Sequence, residues 1–393
     1  MNKLIHTPEG VRDIYSDELK KRQYLQNRML DTIKLYGYEN IQTPTFEFFD
    51  VFGKEMSTIS ARELFKFFDR DGNTLVLRPD FTPSIARACA KYFGEENRPI
   101  RLSYLGNVFS NNLNYQGRLK ESTQLGVEFI GDHSVEADAE IISMACEALL
   151  SVGLKNFKIS IGHASILKGL VEACEFDEEE ILEVKEYVLN KNFFGLDEYL
   201  SQKKVDPRLI ELFTLLRTIY SSPKEFSIGK EIASAFEKLY QSFEYFEKLY
   251  DLLELYKVND YISFELGLIS QHEYYTGVIF SGYTYGSGEP IVKGGRYDNL
   301  LSYFGKDAFA IGFAVFVDGL QMAVDNQKIP VYVEHKGDVI LYRKENREIA
   351  IEKAKVYRDY GKVVQMIRFS DEEELKRLKE LFSDDYIEVI GEE

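Results

Sequence analysis

Residues 104 to 131 constrain this chain more than any other stretch. They read Tyr104-Leu105-Gly106-Asn107-Val108-Phe109-Ser110-Asn111-Asn112, then a polar run containing Gly117-Arg118, then Gln124-Leu125-Gly126-Val127-Glu128-Phe129-Ile130-Gly131. Apolar residues at 105, 108, 109, 125, 127, 129 and 130 make two strand-like runs. The polar run between them predicts an antiparallel hairpin with a long loop. On the second run Gln124, Gly126 and Glu128 are spaced by two, so they share one face of the strand. A Gln and a Glu with Gly between them suit a small polar ligand lying close to the backbone. A solvated sheet face carries the same pattern, and the rest of the chain has to decide.

Taken in order, the chain predicts a helix capped by Ser16, with Asp17 and Glu18 in its first turn and Gly37 at its end. Ile41 to Phe48, interrupted by Pro44, reads as an edge or interface strand. Leu64–Phe68 and Thr74–Arg78 flank the Asp71-Gly72-Asn73 turn, and a helix follows from Ile85 to Tyr92, with Thr82 as cap and Pro83 at the first helical position. After the hairpin come an acidic, Ala-rich helix from Val135 to Val152 and a strand from Phe157 to Ile161. From about 165 to 258, Leu, Glu, Lys and Tyr recur at helical spacing with no strong strand before Ile262. This predicts a helical insertion. Strand Ile262–Leu266 follows, then a hairpin of Gly277–Tyr285 with Gly288–Val292. A helix is predicted over Leu300–Phe304, a strand over Ala310–Phe316 and a helix over Val317–Val324. Past a linker at 327–336, strands at 338–342, 362–367 and 386–390 alternate with helices at 346–360 and 371–382, the pattern of a small parallel α/β unit.

These readings give an α+β chain with a core domain over 1–326 and a small α/β domain over 327–393. The three cysteines, Cys89, Cys146 and Cys174, are widely spaced, and with five scattered histidines they predict reduced thiols and no metal site. No run of 18 apolar residues appears, and the N-terminus lacks an apolar signal region, which predicts a cytoplasmic protein without a membrane span. A formal charge of -17 weighs against extended contact with nucleic acid, which needs a basic face.

Read together, the pieces resemble histidyl-tRNA synthetase, a class II aminoacyl-tRNA synthetase, from Pro8 to about Gly391. Pro8-Glu9-Gly10-Val11-Arg12-Asp13 is similar to the family's opening motif, and Gly37-Tyr38 through Pro44 to its dimer-forming first motif. Arg78-Pro79-Asp80-Phe81-Thr82 stands where the family has Arg-Pro-Glu-Gly-Thr. The hairpin resembles the second motif, with Gln124-Leu125-Gly126-Val127-Glu128 fitting Gln-Leu-Gly-x-Glu. Tyr274-Tyr275 fits the paired tyrosines of the histidine loop, and Gly294-Gly295-Arg296-Tyr297-Asp298 matches without change. The resemblance implies the class II synthetase-like antiparallel sheet with flanking helices, and an anticodon-binding-like C-terminal domain that stops short at Gly391-Glu392-Glu393.

Several departures point away from catalysis. Phe-Arg-x-Glu of the second motif is Phe109-Ser110-Asn111-Asn112 here, and Arg-Gly-Leu-Asp-Tyr-Tyr of the histidine loop is Ser270-Gln271-His272-Glu273-Tyr274-Tyr275. The third motif's Gly-x-Glu-Arg end gives way to Val317-Asp318-Gly319. Three phosphate-directed arginines are absent. Losing one preorganised donor typically costs roughly 3 kcal/mol, about a hundredfold in rate. Adenylation is therefore expected to be lost.

The amino-acid side of the pocket is better preserved. By resemblance, Asp80, Thr82, Gln124, Glu128, Tyr274, Tyr275 and Tyr297 hold histidine, Asp80 being one methylene shorter than the family's Glu. Arg118 matches a family arginine near the ligand, or is a solvated loop arginine. His272 is a pocket wall or a local hydrogen-bonding residue. A synthetase-like body of this kind resembles the regulatory subunits of ATP phosphoribosyltransferase. That likeness implies a non-catalytic, cytoplasmic partner of a short-form catalytic subunit in the first step of histidine biosynthesis. It further implies histidine as effector, a self-dimer through the first motif, no cofactor and no tRNA. A divergent histidyl-tRNA synthetase and a stand-alone histidine-binding scaffold are the alternatives.

Overall fold

The computed structural model describes residues 5–53, 60–96, 98–111, 119–270, 274–331, 337–383 and 385–391. The chain forms two units, residues 1–331 and 332–393. The first opens with helix α1 (Ser16–Leu35), which buries Arg22, Leu25, Met29 and Ile33 along one stripe. The expected cap is displaced by one residue: Ser16 turns the chain at φ 54° and Tyr15 takes the cap position without a side-chain bond. Arg12 reaches across the first turn to Glu18, with Nη1 2.9 Å from Oε2. Gly37 follows the helix at φ +81°, as its position predicts.

The strand expected over 41–48 is confined to its last three residues, and a separate short strand precedes it. Strand β1 (Glu39–Asn40) joins the large sheet, whereas β2 (Phe46–Phe48) joins a three-stranded sheet with β3 (Lys66–Phe68) and β4 (Thr74–Leu77). Pro44 lies between them and its carbonyl accepts from Arg78 Nη1 at 3.2 Å. Helix α2 (Thr82–Tyr92) carries Pro83 in its first turn and takes in Thr82, its expected cap, as a helical residue.

The hairpin lies next to β1 at one side of the large sheet. Strands β5 (Ile100–Phe109) and β6 (Glu121–Ile130) pair antiparallel from Ile100 opposite Ile130 to Phe109 opposite Glu121. Helix α3 (Val135–Ser151) follows, capped by Ser134, whose side chain accepts from the Ala137 N–H. Then comes β7 (Phe157–His163). The chain then runs through α4 (Ala164–Ala173), α5 (Glu178–Leu189), α6 (Phe193–Ser201) and α7 (Pro207–Leu215) before a strand β8 (Ile219–Tyr220). Helices α8 (Ser227–Ala233) and α9 (Glu237–Leu255) follow and lead to β9 (Ile262–Glu265). The two-residue β8 is absent from the sequence reading because only its pairing with β9, Tyr220 opposite Phe264, makes it a strand.

Strand β10 (Val278–Thr284) agrees with expectation, but its partner β11 (Val292–Arg296) begins where Gly288–Val292 was expected to end. Gly294 and Gly295 are therefore strand residues. A Cβ on Gly294 would lie 2.5 Å from the Gly312 carbonyl, so that position needs glycine for close approach. Leu301–Phe304 is a single 3₁₀ turn in place of the expected helix. Strand β12 (Ala310–Phe316) and helix α10 (Val317–Asn326) close the unit.

The nine-stranded order is β1-β5-β6-β12-β11-β10-β7-β9-β8. The sheet is mixed where an antiparallel one was expected, because β1 runs parallel to β5 and β7 parallel to β9. Along β6 the two faces part cleanly. Leu125, Val127 and Phe129 join Leu25, Met29 and Ile33 of α1 and the apolar side of α3 in the main core. Each such side chain contributes roughly 1.5–3 kcal/mol when fully buried. The opposite face carries Gln124, Gly126 and Glu128 beneath α2. No helix among the described residues is long and apolar enough to cross a membrane.

The second unit has β13 (Asp338–Tyr342), α11 (Arg347–Asp359), β14 (Val364–Arg368), α12 (Glu372–Leu381) and β15 (Ile387–Ile390). Its sheet is parallel in the order β14-β13-β15, the α/β alternation read from the sequence. Val339 and Leu341 face Leu375 and Leu378 of α12, while Ile340 faces Ala350 and Ala354 of α11.

Candidate functional site

A cleft of about 1390 Å³ lies over the face of the sheet that bears Gln124 and Glu128. Its floor is set by register. Glu128 of β6 lies opposite Gly312 of β12 and Leu102 of β5, while Gly126 lies opposite Tyr104. Cross-strand partners share a face, so a large side chain can lie flat only where its neighbour has none. A Cβ on Gly312 would sit 1.9 Å from Glu128 Oε2, and one on Gly126 2.4 Å from the Tyr104 hydroxyl. The two glycines are the seats of these two side chains.

Around that floor the structure brings together Asp80, Thr82, Gln124, Glu128, Tyr274, Tyr275 and Tyr297, all of which line the cleft. Thr82 Oγ1 donates to Glu128 Oε1 at 2.8 Å, and the Tyr297 hydroxyl donates to Oε2. Asp80 accepts from the Phe81 N–H at 2.8 Å. Tyr104, which sequence reasoning did not select, stacks on Phe81 with ring centroids 4.4 Å apart and forms the back wall. Tyr274 and Tyr275 stand against each other, with centroids 4.6 Å apart, and Tyr274 meets Tyr297 edge-on at 5.9 Å. Gln124 is 6% exposed, and its Oε1 has no hydrogen-bond partner among the described residues.

Burial pushes the Glu128 carboxyl up to about 8, and the neighbouring Asp80 charge adds to this, against the hydroxyls of Tyr297 and Thr82. Burial likewise pushes Asp80 up to about 6, against the N–H groups of Phe81 and Thr82. The pocket thus presents acceptors, two of them acidic, inside an aromatic wall. Chemically it can hold a small cation or a cluster of N–H donors. Arg118 and His272 lie outside the described residues, as do Asn112, Gln271 and Glu273.

The invariant-looking pentapeptide 294–298 divides its labour. Tyr297 serves the pocket. Arg296 turns away, donating to Asp138 Oδ1 of α3 at 2.9 and 2.6 Å and to the Asp132 carbonyl at 2.9 Å. Asp298 accepts from Thr276 Oγ1 at 2.8 Å. Arg296 and Asp298 are therefore framework, fastening β11 to α3 and to the segment before β10.

The other end of the cleft is lined by Arg12, Glu18, Arg22, Ser110, Asp318 and Gln321. Sequence reasoning found Asp318 in place of a cation but missed its partner. Arg22 of α1 forms an ion pair with the Asp318 carboxylate, and the Thr123 N–H donates to Asp318 Oδ2 at 2.8 Å. Arg22 Nη1 also donates to Thr123 Oγ1 at 2.9 Å, and Nε to Gln321 Oε1 at 3.3 Å. Thr123 Oγ1 in turn donates to Asn107 Oδ1 at 2.9 Å. Arg22 could in principle meet a phosphate, but here its charge is matched by the chain's own carboxylate. Charge pattern alone could not have found this pair, since its members stand 296 positions apart.

The histidyl-tRNA synthetase family model matches residues 10–320. An ATP phosphoribosyltransferase regulatory subunit from Ruminiclostridium cellulolyticum is 40% identical over 90% of this chain and 84% of its own length. One from Caldanaerobacter subterraneus is 34% identical over 99% of this chain and its own full length (100%). Among solved structures, an ATP phosphoribosyltransferase regulatory subunit/histidyl-tRNA synthetase from Bacillus halodurans superposes with a TM-score of 0.88 at 33% identity, covering 99% of each chain.

Proposed function

We infer, from a chain that belongs to the family of ATP phosphoribosyltransferase regulatory subunits, that its cleft senses histidine and that its partner is a short-form catalytic subunit. More broadly the chain belongs to the histidyl-tRNA synthetase family and has its class II synthetase-like α+β fold. As a regulatory subunit of ATP phosphoribosyltransferase it serves histidine biosynthesis without being the catalyst. The observation that carries the histidine reading is the asymmetry of one cleft. Its amino-acid end holds buried acceptors, including the unpartnered Gln124 Oε1, whereas its nucleotide end is occupied by the Arg22–Asp318 pair.

Histidine offers an ammonium and an imidazole N–H to that acceptor set. Feedback then follows if it binds one arrangement of the complex more tightly, a coupling typically of about 1–3 kcal/mol. We assign residues 332–393 to an anticodon-binding-like domain, and the net charge of -17 supports expecting no tRNA. The cytoplasm is the compartment that fits this role.

Reconstitution tests the reading. Mixed with a short-form catalytic subunit, the chain should co-purify with it, raise phosphoribosyl transfer and make that transfer histidine-sensitive. Neither partner alone should exchange pyrophosphate into ATP with histidine. In calorimetry on the complex, Glu128→Ala should weaken histidine binding by roughly 2–5 kcal/mol, since it strips a buried charged partner. Gln124→Ala should cost about 0.5–1.5 kcal/mol, the scale of one neutral hydrogen bond. Unchanged binding in both variants places the effector site elsewhere.

Self-association is assigned to the first motif and the strand that follows it. Phe46, Phe48 and Phe67 share one face of the small sheet and are 51%, 56% and 37% exposed, and the Phe46 and Phe67 rings meet at 5.7 Å. Such an apolar group on a sheet face favours a partner surface. Phe48→Asp should move the sedimentation coefficient toward that of the monomer, and an unaltered dimer would rule this face out.

A further inference from the structure

Among the described residues the pocket around Glu128 holds no cationic side chain in contact with its two carboxyl groups. Glu128 and Asp80 come from different elements, β6 and the turn before α2, yet both line the one cleft, and the Asp80 charge acts on Glu128. Among the described residues neither is in ion-pair contact with a cation, whereas other buried carboxylates of this unit are paired. Asp138 has Arg296, Glu47 has Arg87, Glu265 has Lys191 and Asp318 has Arg22.

The titratable groups facing Glu128 come from every side of the pocket. They are Asp80 and Cys89 from the turn before α2 and from α2 itself, and Tyr104 from β5. Tyr274, Tyr275 and Tyr297 come from the segments flanking β10 and β11. All of these are neutral or negative. Burial drives each tyrosine above its ordinary range and Cys89 up to about 12, so their protons stay in place at neutral pH. Glu128 and Asp80 are the groups in this set able to exchange a proton there.

We propose that this pocket takes its ligand as a cation in exchange for a proton held by the Glu128–Asp80 pair, so that effector binding strengthens as pH rises. The proposal rests on the reading that the cleft binds histidine. Two neighbouring carboxylates with no cation on them among the described residues, Glu128 fully buried and Asp80 half-buried, cannot both carry charge cheaply, and the pocket then stores a proton. An incoming ammonium supplies the missing positive charge, donates its N–H groups to the carboxylates and sends the stored proton to solvent. The sign follows from linkage. Glu128 is pushed up to about 8 in the empty pocket and ionised in the filled one, so affinity climbs through the range below 8 and levels off above it.

The test is isothermal titration of histidine into the complex with the catalytic subunit, near pH 7.3, in phosphate, HEPES and Tris. The observed enthalpy should vary with the buffer's ionisation enthalpy, with a slope of about one proton released, and affinity should rise by up to about tenfold per pH unit toward pH 8. Glu128→Gln, which preserves the shape and the hydroxyl contacts, should bind more weakly with a slope near zero. Asp80→Asn should lower Glu128's proton affinity and shift the rise to lower pH. Buffer-independent heats in the unaltered complex overturn this inference and leave the histidine reading standing. No heat in any buffer overturns both. A slope that survives in Glu128→Gln assigns the proton elsewhere and overturns the role given to this pair.

Discussion

Replacing Asp318 with alanine should destabilise the 1–331 unit by about 3–5 kcal/mol, because it leaves a buried guanidinium without its counter-charge. Arg22 and Asp318 have side chains 8% and 18% exposed, so water can repair little of the loss. The Thr123 N–H would lose its acceptor as well. Chemical denaturation at neutral pH measures this directly as a lowered urea midpoint. The double variant Arg22→Met with Asp318→Leu should recover more than half of the loss, since removing both charges removes the desolvation problem. A single variant within 1 kcal/mol of the parent would mean that the pair is solvated and that the nucleotide end of the cleft is not sealed by it. The point matters for function, because this same pair is what makes the end of the cleft unfit for a polyphosphate.

Gly312→Ala should abolish effector binding while leaving the fold in place. The new Cβ would lie 1.9 Å from Glu128 Oε2 and 2.4 Å from the Val127 carbonyl, so the carboxylate must leave the floor of the pocket. Displacing it separates Glu128 from Tyr297 and Thr82 and closes the space a ligand would use. We expect histidine affinity to fall about thirtyfold or more, equivalent to losing a buried charged contact, with a stability cost of about 1–3 kcal/mol from overpacking. Gly319→Ala is the matched control. Its Cβ would meet nothing closer than Ile291 Cγ2 at 3.7 Å, and in a helix the change should be neutral or slightly stabilising. Equal binding by parent and Gly312→Ala, measured by calorimetry on the complex, would remove Glu128 from the site.

Much of the fold was legible because period and punctuation are local. The two-residue spacing of Gln124, Gly126 and Glu128 placed them on one face, and β6 carries them there. Strands β12 and β13 fall where their apolar runs predict. The misses have a common origin. The second strand of the hairpin was expected to end at Val292, yet β11 starts there, and Gly294 and Gly295 let it pass close to β10 and β12. Strand β8 has no pattern of its own and exists through its neighbour β9. Tyr104 reads as an ordinary strand residue and becomes a pocket wall only when Phe81 stacks on it.

The absence of the phosphate-directed arginines and the presence of an acceptor-rich set were determined by the sequence alone. They are statements about which side chains occupy which positions, and no folding is needed to read them. Two properties were decided by tertiary structure. The first is that Asp318 does more than replace a cation, since it engages Arg22 from a helix nearly the whole core away in sequence. The second is that the Glu128 carboxyl is pushed up to about 8, which follows from burial beside Asp80. Both depend on distances and desolvation between segments remote in the chain, and no local window of sequence encodes those.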